Sequence, residues 1–437
     1  MSTSTTKSGS GETERGGKGG KGNDGKPALS ARELTQVEDE HSLLLIAPLP
    51  KPAKDGHDYR VLLLKRAEKS STYQNAYVFP GGNVDPIDRD TSAWSSFFPS
   101  LASFTAGVPS DPSPSSTSAT STLDEAQMQI VKLCAIRETF EESGVLLIEP
   151  ITAQDGPNHK QVEEKWRRVD DRTKTELREK VHASGKEFVK LFEEDLGQGV
   201  RPAVSKLTHW ANWVTPLMLP RRFDTHFFIS VLPSSSSPAS STEAADHTPY
   251  YKLASSDGVE TSIAEWLTPT QAIRRALSHT ANLSHNTDSI PSTTPTYIEQ
   301  PIAMGNNPSK SIILHPPQFY LLAELANNHK SYRTLLGEEG IVQPRNVKSF
   351  TPQIGKVMDA GGKERAATLL PGDEAFVVPG EGGGKGKKGA KHRTYVIPPG
   401  PRTQGLTVLG VHRHDLDDGK GWEDMSAGEI GSGQSKL

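Results

Sequence analysis

The sequence predicts an α+β protein with a mixed sheet, on three observations. Two apolar runs, 42–47 and 60–65, read as strands. A long helical pattern at 122–143 stops at Gly144, the residue type that most often ends a helix. Beyond it, strand and helix patterns follow one another without strict alternation. Residues 73–79 read as a short strand entering a Pro-Gly-Gly turn. Residues 159–196 are charged, with apolar positions at Trp166, Val169, Leu177, Val181, Phe188, Leu191 and Phe192, and read as one or two amphipathic helices. Strands are expected at 210–214 and 224–232, and helices at 269–278 and 317–326. Strands at 393–397 and 405–411 belong either to a separate lobe or to a strap on the main domain.

Composition bounds the rest. A chain of 437 residues holds one large domain or two ordinary ones. Its 34% hydrophobic content, with 39 Gly and 32 Pro, is low for a chain folded throughout, and biased segments account for this. Residues 1–28 read as a disordered tail. Low-complexity insertions at about 91–121, 233–248 and 278–295 interrupt a domain over 29–335, and 336–437 form a C-terminal extension, itself biased at 379–391. The net charge of −4 argues against nucleic acid as a partner. The basic run from Lys385 to Arg393 reads as a solvated loop rather than a phosphate site. The single cysteine, Cys134, excludes an intramolecular disulfide framework and a cysteine zinc knuckle, and sits on an apolar stripe as a small core residue. No secretory signal opens the chain and no apolar run reaches membrane-spanning length, so the expectation is a soluble, intracellular protein.

The helix at 122–143 carries the chemistry. Glu138, Glu141 and Glu142 lie at i, i+3 and i+4 and share one face. Like charges at that spacing repel, and negative charge near a helix C-terminus opposes the macrodipole. Ile130, Val131, Cys134 and Ala135 on one side and Leu133, Ile136 and Phe140 on the other make the helix apolar on both sides, so it is sandwiched in the protein. Carboxylates on such a helix face an interior or a cleft. They are the chemistry of a hard cation, Mg²⁺ or Mn²⁺, the bland alternative being a solvated acidic face. Thr122-Leu123-Asp124-Glu125 fits a capping box that restarts the chain as helix. Upstream, Gly81-Gly82 allows close approach of backbone to a ligand.

Taken together, Phe79–Asp88 and Arg137–Val145 resemble the two halves of the Nudix box, Gly-x5-Glu-x7-Arg-Glu-U-x-Glu-Glu-x-Gly-U. Gly82 takes the first glycine, and Arg137, Glu138, Glu141, Glu142, Gly144 and Val145 fill the second half. Three departures stand out. Asp88 replaces the first glutamate, Thr139 replaces the bulky aliphatic residue, and residues 89–136 intervene where the pattern has seven. Much of that interval is a Pro-Ser-Thr-rich run around 109–118, which reads as an extruded loop, tolerated because closure entropy grows slowly with length. A split box, with His209–Pro216, Arg221–Phe228, Glu265–Pro269 and Pro316–Phe319, is similar to the peroxisomal coenzyme A diphosphatase branch of the Nudix superfamily. The resemblance covers roughly residues 38 to 335.

The resemblance implies the Nudix α/β/α sandwich with extra helices near the cleft. It also implies metal-dependent hydrolysis of the diphosphate bridge of coenzyme A or an acyl-CoA, giving adenosine 3′,5′-bisphosphate and 4′-phosphopantetheine or its acyl form. Glu138, Glu141 and Glu142 are the expected metal ligands, with Gly82 adding its backbone carbonyl, and Arg137 orients a carboxylate, as in the family. Glu260, entering a strand, is the candidate general base; the alternative is an exposed strand-end glutamate. Arg66, Arg221 and Arg222 are candidate phosphate contacts, since guanidinium suits bidentate phosphate recognition; simple surface charge is the alternative. Trp210 and Trp213 are candidates either for stacking on adenine or for the core. Two other functions compete: a Nudix enzyme on ADP-ribose or a dinucleotide, and a Nudix-fold binding protein without catalysis. Ser435-Lys436-Leu437 matches the peroxisomal address read by an import receptor, after a flexible Gly-Ser-Gly approach, and places the protein in the peroxisomal matrix.

Overall fold

The structure is a computed structural model, and it describes residues 37–69, 74–102, 123–197, 199–219, 221–234, 254–284, 302–304, 311–337, 340–358, 362, 364–378, 385–398, 406–412 and 425–426. The targeting tripeptide, the N-terminal tail and most of each insertion lie outside these residues.

A mixed sheet organises the molecule. Its strands are β1 (Val37–Pro48), β2 (Tyr59–Arg66), β3 (Tyr77–Val78), β4 (Gly81–Asn83), β7 (Thr208–Val214), β8 (Arg222–Val231), β9 (Thr261–Leu267), β10 (Ile302–Met304) and β11 (Ser349–Phe350). The order is β10-β9-β2-β1-β8-β7-β11, with β3 on β2 and β4 on β1. β1 runs parallel to β8 and antiparallel to β2 and β4. The apolar run at 43–47 is continuous because this central strand is covered on both faces. Leu43, Leu45 and Ala47 enter one core, and Leu44 and Ile46 the other.

Helices fill both sides. On the first face lie α3 (Glu125–Ser143), α4 (Gly156–Arg168), α5 (Asp171–Ala183) and α6 (Lys186–Lys190); their Phe140, Trp166, Val181 and Phe188 share a core with Leu43 and Leu64. On the second lie α7 (Pro269–Ser284) and α8 (Pro316–Asn328), packing Ile273 and Phe319 against Leu44 and Leu63. The expected sandwich is the observed layer order. A small antiparallel pair, β5 (Ile148–Pro150) and β6 (Val200–Pro202), brackets α4 to α6.

Three expectations need correction. First, α3 begins two residues later than the sequence pattern placed its box. Asp124 Oδ1 accepts from the Gln127 N–H at 2.8 Å, and Gln127 Oε1 accepts from the Asp124 N–H at 2.9 Å. Its end is as expected, with Gly144 at φ 72° donating to the Phe140 carbonyl. Second, the insertion set at about 91–121 opens with structure. α1 (Thr91–Trp94), α2 (Pro99–Ala102) and the turn between them bury Trp94, Phe97, Phe98 and Leu101 in the core that holds Phe188 and Phe192. Third, the extension at 336–437 is both lobe and strap. β12 (Gln353–Met358), β13 (Glu364–Leu369), β14 (Arg393–Ile397), β15 (Thr407–His412) and β16 (Met425–Ser426) form their own antiparallel sheet. Leu370, Val408 and Val411 join the α7–α8 core, and β11 extends the main sheet along β7. The basic run ends in structure, since Arg393 forks onto Asp373 at 2.6 and 2.7 Å.

Candidate active site

The turn before β4 presses on two neighbours. Gly81, at φ 156°, pairs with Ser42, and a Cβ there would lie 2.0 Å from the His41 carbonyl oxygen. A Cβ on Gly82 would lie 2.6 Å from the Glu138 carboxylate. Close approach of backbone requires glycine at Gly81, and at Gly82 a side chain would displace the carboxylate of a candidate ligand.

Arg137 joins the two halves of the split box. Its Nε donates to Asp88 Oδ1 at 3.0 Å and its Nη2 to Asp88 Oδ2 at 2.8 Å, both residues being buried. Nη1 donates to Glu141 Oε1 at 2.6 Å, and Nη2 also reaches the Asn83 carbonyl at 3.1 Å and Glu138 Oε1 at 3.0 Å. The shorter aspartate in the glutamate position is thereby explained: Asp88 serves as the buried partner of the arginine, a bidentate charge-assisted pair. Burial works against the Arg137 charge, but Asp88 and Glu138 outweigh it and raise its pKa.

The three glutamates are held differently. Glu142 Oε2 accepts from the Gly81 N–H at 2.9 Å, while its Oε1 is buried with no partner. Burial raises its pKa well above the ordinary carboxylate range, and Glu138 adds to this. Glu138 stands between Gly82 and Arg137, and burial, against the pull of Arg137, pushes it up to about 8. Glu141 lies between Arg137 and His182, whose Nδ1 is 3.6 Å from Oε2. Among the described residues no three His, Cys, Asp or Glu side chains close into a ready-made cage. The orphaned Glu142 oxygen beside Glu138 nevertheless fits a hard divalent cation, because crowded, proton-holding carboxylates release protons to one.

The other expected residues scatter. Glu260 is exposed at the entry to β9, its carbonyl accepting from the Ala67 N–H at 2.8 Å; its charge bears on Glu142. Arg66, at the end of β2, pairs across a bulge with Thr261 and draws the pKa of Glu142 down. Arg221 and Arg222 are not brought to the carboxylates. Arg222 pairs with Val37, while β4 pairs with Glu40, His41 and Ser42, roughly 10–17 Å along β1. Arg221 is bound to Glu38 at 3.0 Å, and the buried Arg222 donates from Nε to the Thr215 carbonyl at 3.2 Å. Trp210 and Trp213 are core residues, Trp213 packing on Phe350 and Tyr320. Cys134 is buried as expected, its Sγ 3.2 Å from the Asn83 carbonyl.

Two residues at the site have no motif. Arg178 and His182, one turn apart on α5, both reach Glu141: Arg178 Nε donates to its carbonyl at 3.0 Å, and His182 approaches its side chain. The available signal was α3 itself, whose terminal carbonyls need donors from elsewhere.

Comparison with known proteins adds to this geometry. The family model described as the NUDT19 Nudix domain matches residues 38–283. A Xenopus laevis protein named acyl-coenzyme A diphosphatase NUDT19 is 34% identical over 245 residues, covering 53% of this chain and 58% of that protein. Proteins of the same name from Gallus gallus and Homo sapiens are 27% identical over 362 residues and 30% identical over 262 residues. These matches cover 78% and 54% of this chain, and 80% and 64% of theirs. The match thus spans less than two thirds of the frog and human proteins. A crystal structure of a Nudix hydrolase from Alicyclobacillus acidocaldarius is similar at 19% identity and a TM-score of 0.34, covering 60% of this chain and 89% of that one.

Proposed function

The chain belongs to the family of the NUDT19 Nudix domain, and from that premise we propose that it hydrolyses the diphosphate bridge of coenzyme A or an acyl-CoA. The products are adenosine 3′,5′-bisphosphate and 4′-phosphopantetheine, free or acylated. The observation that carries the reading is the Glu142 oxygen, buried without a partner beside Glu138 and across from the Gly81-Gly82 turn. The names of the frog, chicken and human relatives support the substrate.

Each side chain then has a task. Glu138 and Glu142 hold Mg²⁺ or Mn²⁺, with Glu141 and the Gly82 carbonyl completing the oxygen set. The bound ion supplies charge neutralisation on the phosphates and lowers the pKa of water. Arg137 fixes the rotamers of Glu138 and Glu141 and ties them to Asp88. Glu260, at the exposed rim, takes the proton of the attacking water. Arg66 meets the diphosphate from the end of β2. No helix among the described residues is long and apolar enough to cross a membrane. Ser435-Lys436-Leu437 directs the chain through an import receptor to the peroxisomal matrix; a truncation lacking these residues that stays in peroxisomes refutes that address.

The test is a panel of coenzyme A, acetyl-CoA, ADP-ribose and NADH with Mg²⁺. Preferred release of adenosine 3′,5′-bisphosphate supports the proposal. Preference for ADP-ribose or NADH moves the chain to another Nudix substrate class. Binding of any of these without turnover leaves a binding protein.

A further inference from the structure

The C-terminal end of α3 is capped by parts of the chain remote in sequence. The last carbonyls of a helix lack intrahelical donors and require partners from elsewhere. Here the Phe140 carbonyl accepts from the Gly144 N–H, and the next three look outward. The Glu141 carbonyl accepts from Arg178 Nε at 3.0 Å. The Ser143 carbonyl accepts from the Ser255 N–H at 2.9 Å, and the Glu142 carbonyl lies 3.5 Å from Thr261 Oγ1, whose proton goes to Asp257 Oδ1 at 2.8 Å. Ser255 and Thr261 both belong to the segment 255–261, which carries Glu260. Arg178 binds that segment as well: Nη1 donates to Ser255 Oγ at 2.9 Å and Nη2 to the Ser255 carbonyl at 3.2 Å. Within the segment, Asp257 Oδ1 accepts from the Val259 and Thr261 N–H groups at 3.1 and 2.8 Å, so the backbone on both sides of Glu260 is fixed.

We propose that Arg178 is a positioning residue for the reaction: one buried guanidinium clamps the ligand-bearing end of α3 to the segment that presents Glu260. Three features set it apart from a generic buried arginine. Its planar fork spans two backbone segments far apart in sequence, a geometry a lysine does not reproduce. Its positive charge lies at the negative pole of a helix that also carries three carboxylates, where a cation is most favourable. It contacts the Glu141 backbone and leaves the carboxylates to Arg137. Glu260 is exposed; its N–H donates to Asp257 Oδ2 at 3.3 Å and its carbonyl accepts from the Ala67 N–H at 2.8 Å, while Arg178 ties the start of the same segment, at Ser255, to the end of α3. This inference rests on the proposed diphosphate hydrolysis with Glu260 as base.

The experiment uses the full chain with Arg178→Lys, which keeps the charge and loses the fork, and Ser255→Ala, a mild variant at an exposed position. Two readouts are taken. Amide hydrogen exchange over 254–261 needs no turnover; at least about a tenfold loss of protection in Arg178→Lys, with the rest of the sheet unchanged, is expected for a clamp. Steady-state kinetics on coenzyme A should show kcat lowered by about 10- to 100-fold with KM within about threefold, since small misplacement of a reacting group costs that much. Ser255→Ala should follow in the same direction by a few fold. Glu260→Gln and Arg178→Lys combined should be no slower than Glu260→Gln alone, because a residue acting through Glu260 has nothing left to position. Additive losses, or a segment equally protected in wild type and Arg178→Lys, overturn the proposal. A wild type inert on coenzyme A defeats the substrate reading, and the exchange measurement still decides whether the clamp exists. If Arg178→Lys fails to fold, Ser255→Ala decides, and unchanged exchange and kinetics there overturn the clamp.

Discussion

On one face of the main sheet Arg275 meets a buried carboxylate, Glu265, which also accepts from the Tyr77 hydroxyl at 2.8 Å. On the other face Arg137 meets Asp88, Glu138 and Glu141, with Glu142 alongside. Both networks are buried, and both centre on an arginine. Among the described residues the first sets one carboxylate against one guanidinium and adds a neutral donor, whose own pKa burial and Glu265 raise. The second sets four carboxylates against one guanidinium, leaves a Glu142 oxygen without a partner, and raises the pKa of each glutamate. Buried charge that serves the fold alone is paired, since an unpaired charge costs several kcal/mol. The excess on the α3 face therefore marks the place where a cation from solution completes the balance.

The largest expected effect separates the networks directly. Glu142→Gln should lower kcat by about 10³-fold, as loss of a metal ligand does, while leaving the melting temperature equal to or above that of the metal-free wild type. Glu141→Gln should also lower kcat by orders of magnitude on an intact fold. Wild-type turnover of either variant at saturating Mg²⁺ breaks the distinction. In the balanced network the sign reverses. Glu265→Gln removes the buried carboxylate that Arg275 meets and should cost about 3–5 kcal/mol in denaturant unfolding, with kcat of the folded fraction little changed. An equally stable Glu265 variant would show that the two networks do not differ in kind.

A smaller effect follows from titration. Glu138 is raised from 4.5 to about 8 by burial, with Glu141 and Asp88 adding. A group raised on folding contributes stability below its unfolded pKa and loses it as pH climbs through the folded one. The metal-free protein should therefore lose stability between about pH 4.5 and 8, and Mg²⁺ should raise its melting temperature more at pH 8 than at pH 5. Glu138→Gln should flatten that dependence, and a variant with the wild-type pH profile refutes the assignment. The smallest effect is at the insertion. Deletion of 103–122, between the buried Leu101 and α3, should keep most activity. A folded but inactive deletion would make the segment part of the site.

Much of the site was legible because its chemistry is local in sequence. The carboxylate face, the Gly-Gly turn and the glycine stop all lie within short windows with helix or turn periodicity. The central strands were legible because a strand covered on both faces reads as an unbroken apolar run. What escaped depends on partners far along the chain. Arg178 sits among ordinary Lys, Arg and Glu residues of an amphipathic helix, and only the open carbonyls of α3 give it a purpose. Arg221 and Arg222 looked like phosphate ligands by residue type, but strand register places Arg222 opposite Val37 at the start of β1, outside the stretch that pairs with β4. The start of the insertion carries its own signal: Trp94, Phe97, Phe98 and Leu101 stand at i, i+3, i+4 and i+7, the spacing of a buried helical stripe. The strands of the C-terminal sheet at 353–358 and 364–369 are short, and their buried and exposed positions do not alternate, so period two gave no signal there.

The most direct measurement is Mn²⁺ binding to the metal-free full chain, followed by paramagnetic resonance or calorimetry. Wild type and Glu265→Gln should bind alike, and Glu142→Gln should bind at least about tenfold more weakly, since removing a ligand weakens a site by that order or more. No binding by the wild type, or equal binding by Glu142→Gln, would contradict the claim that the uncompensated carboxylates of α3 are a cation site.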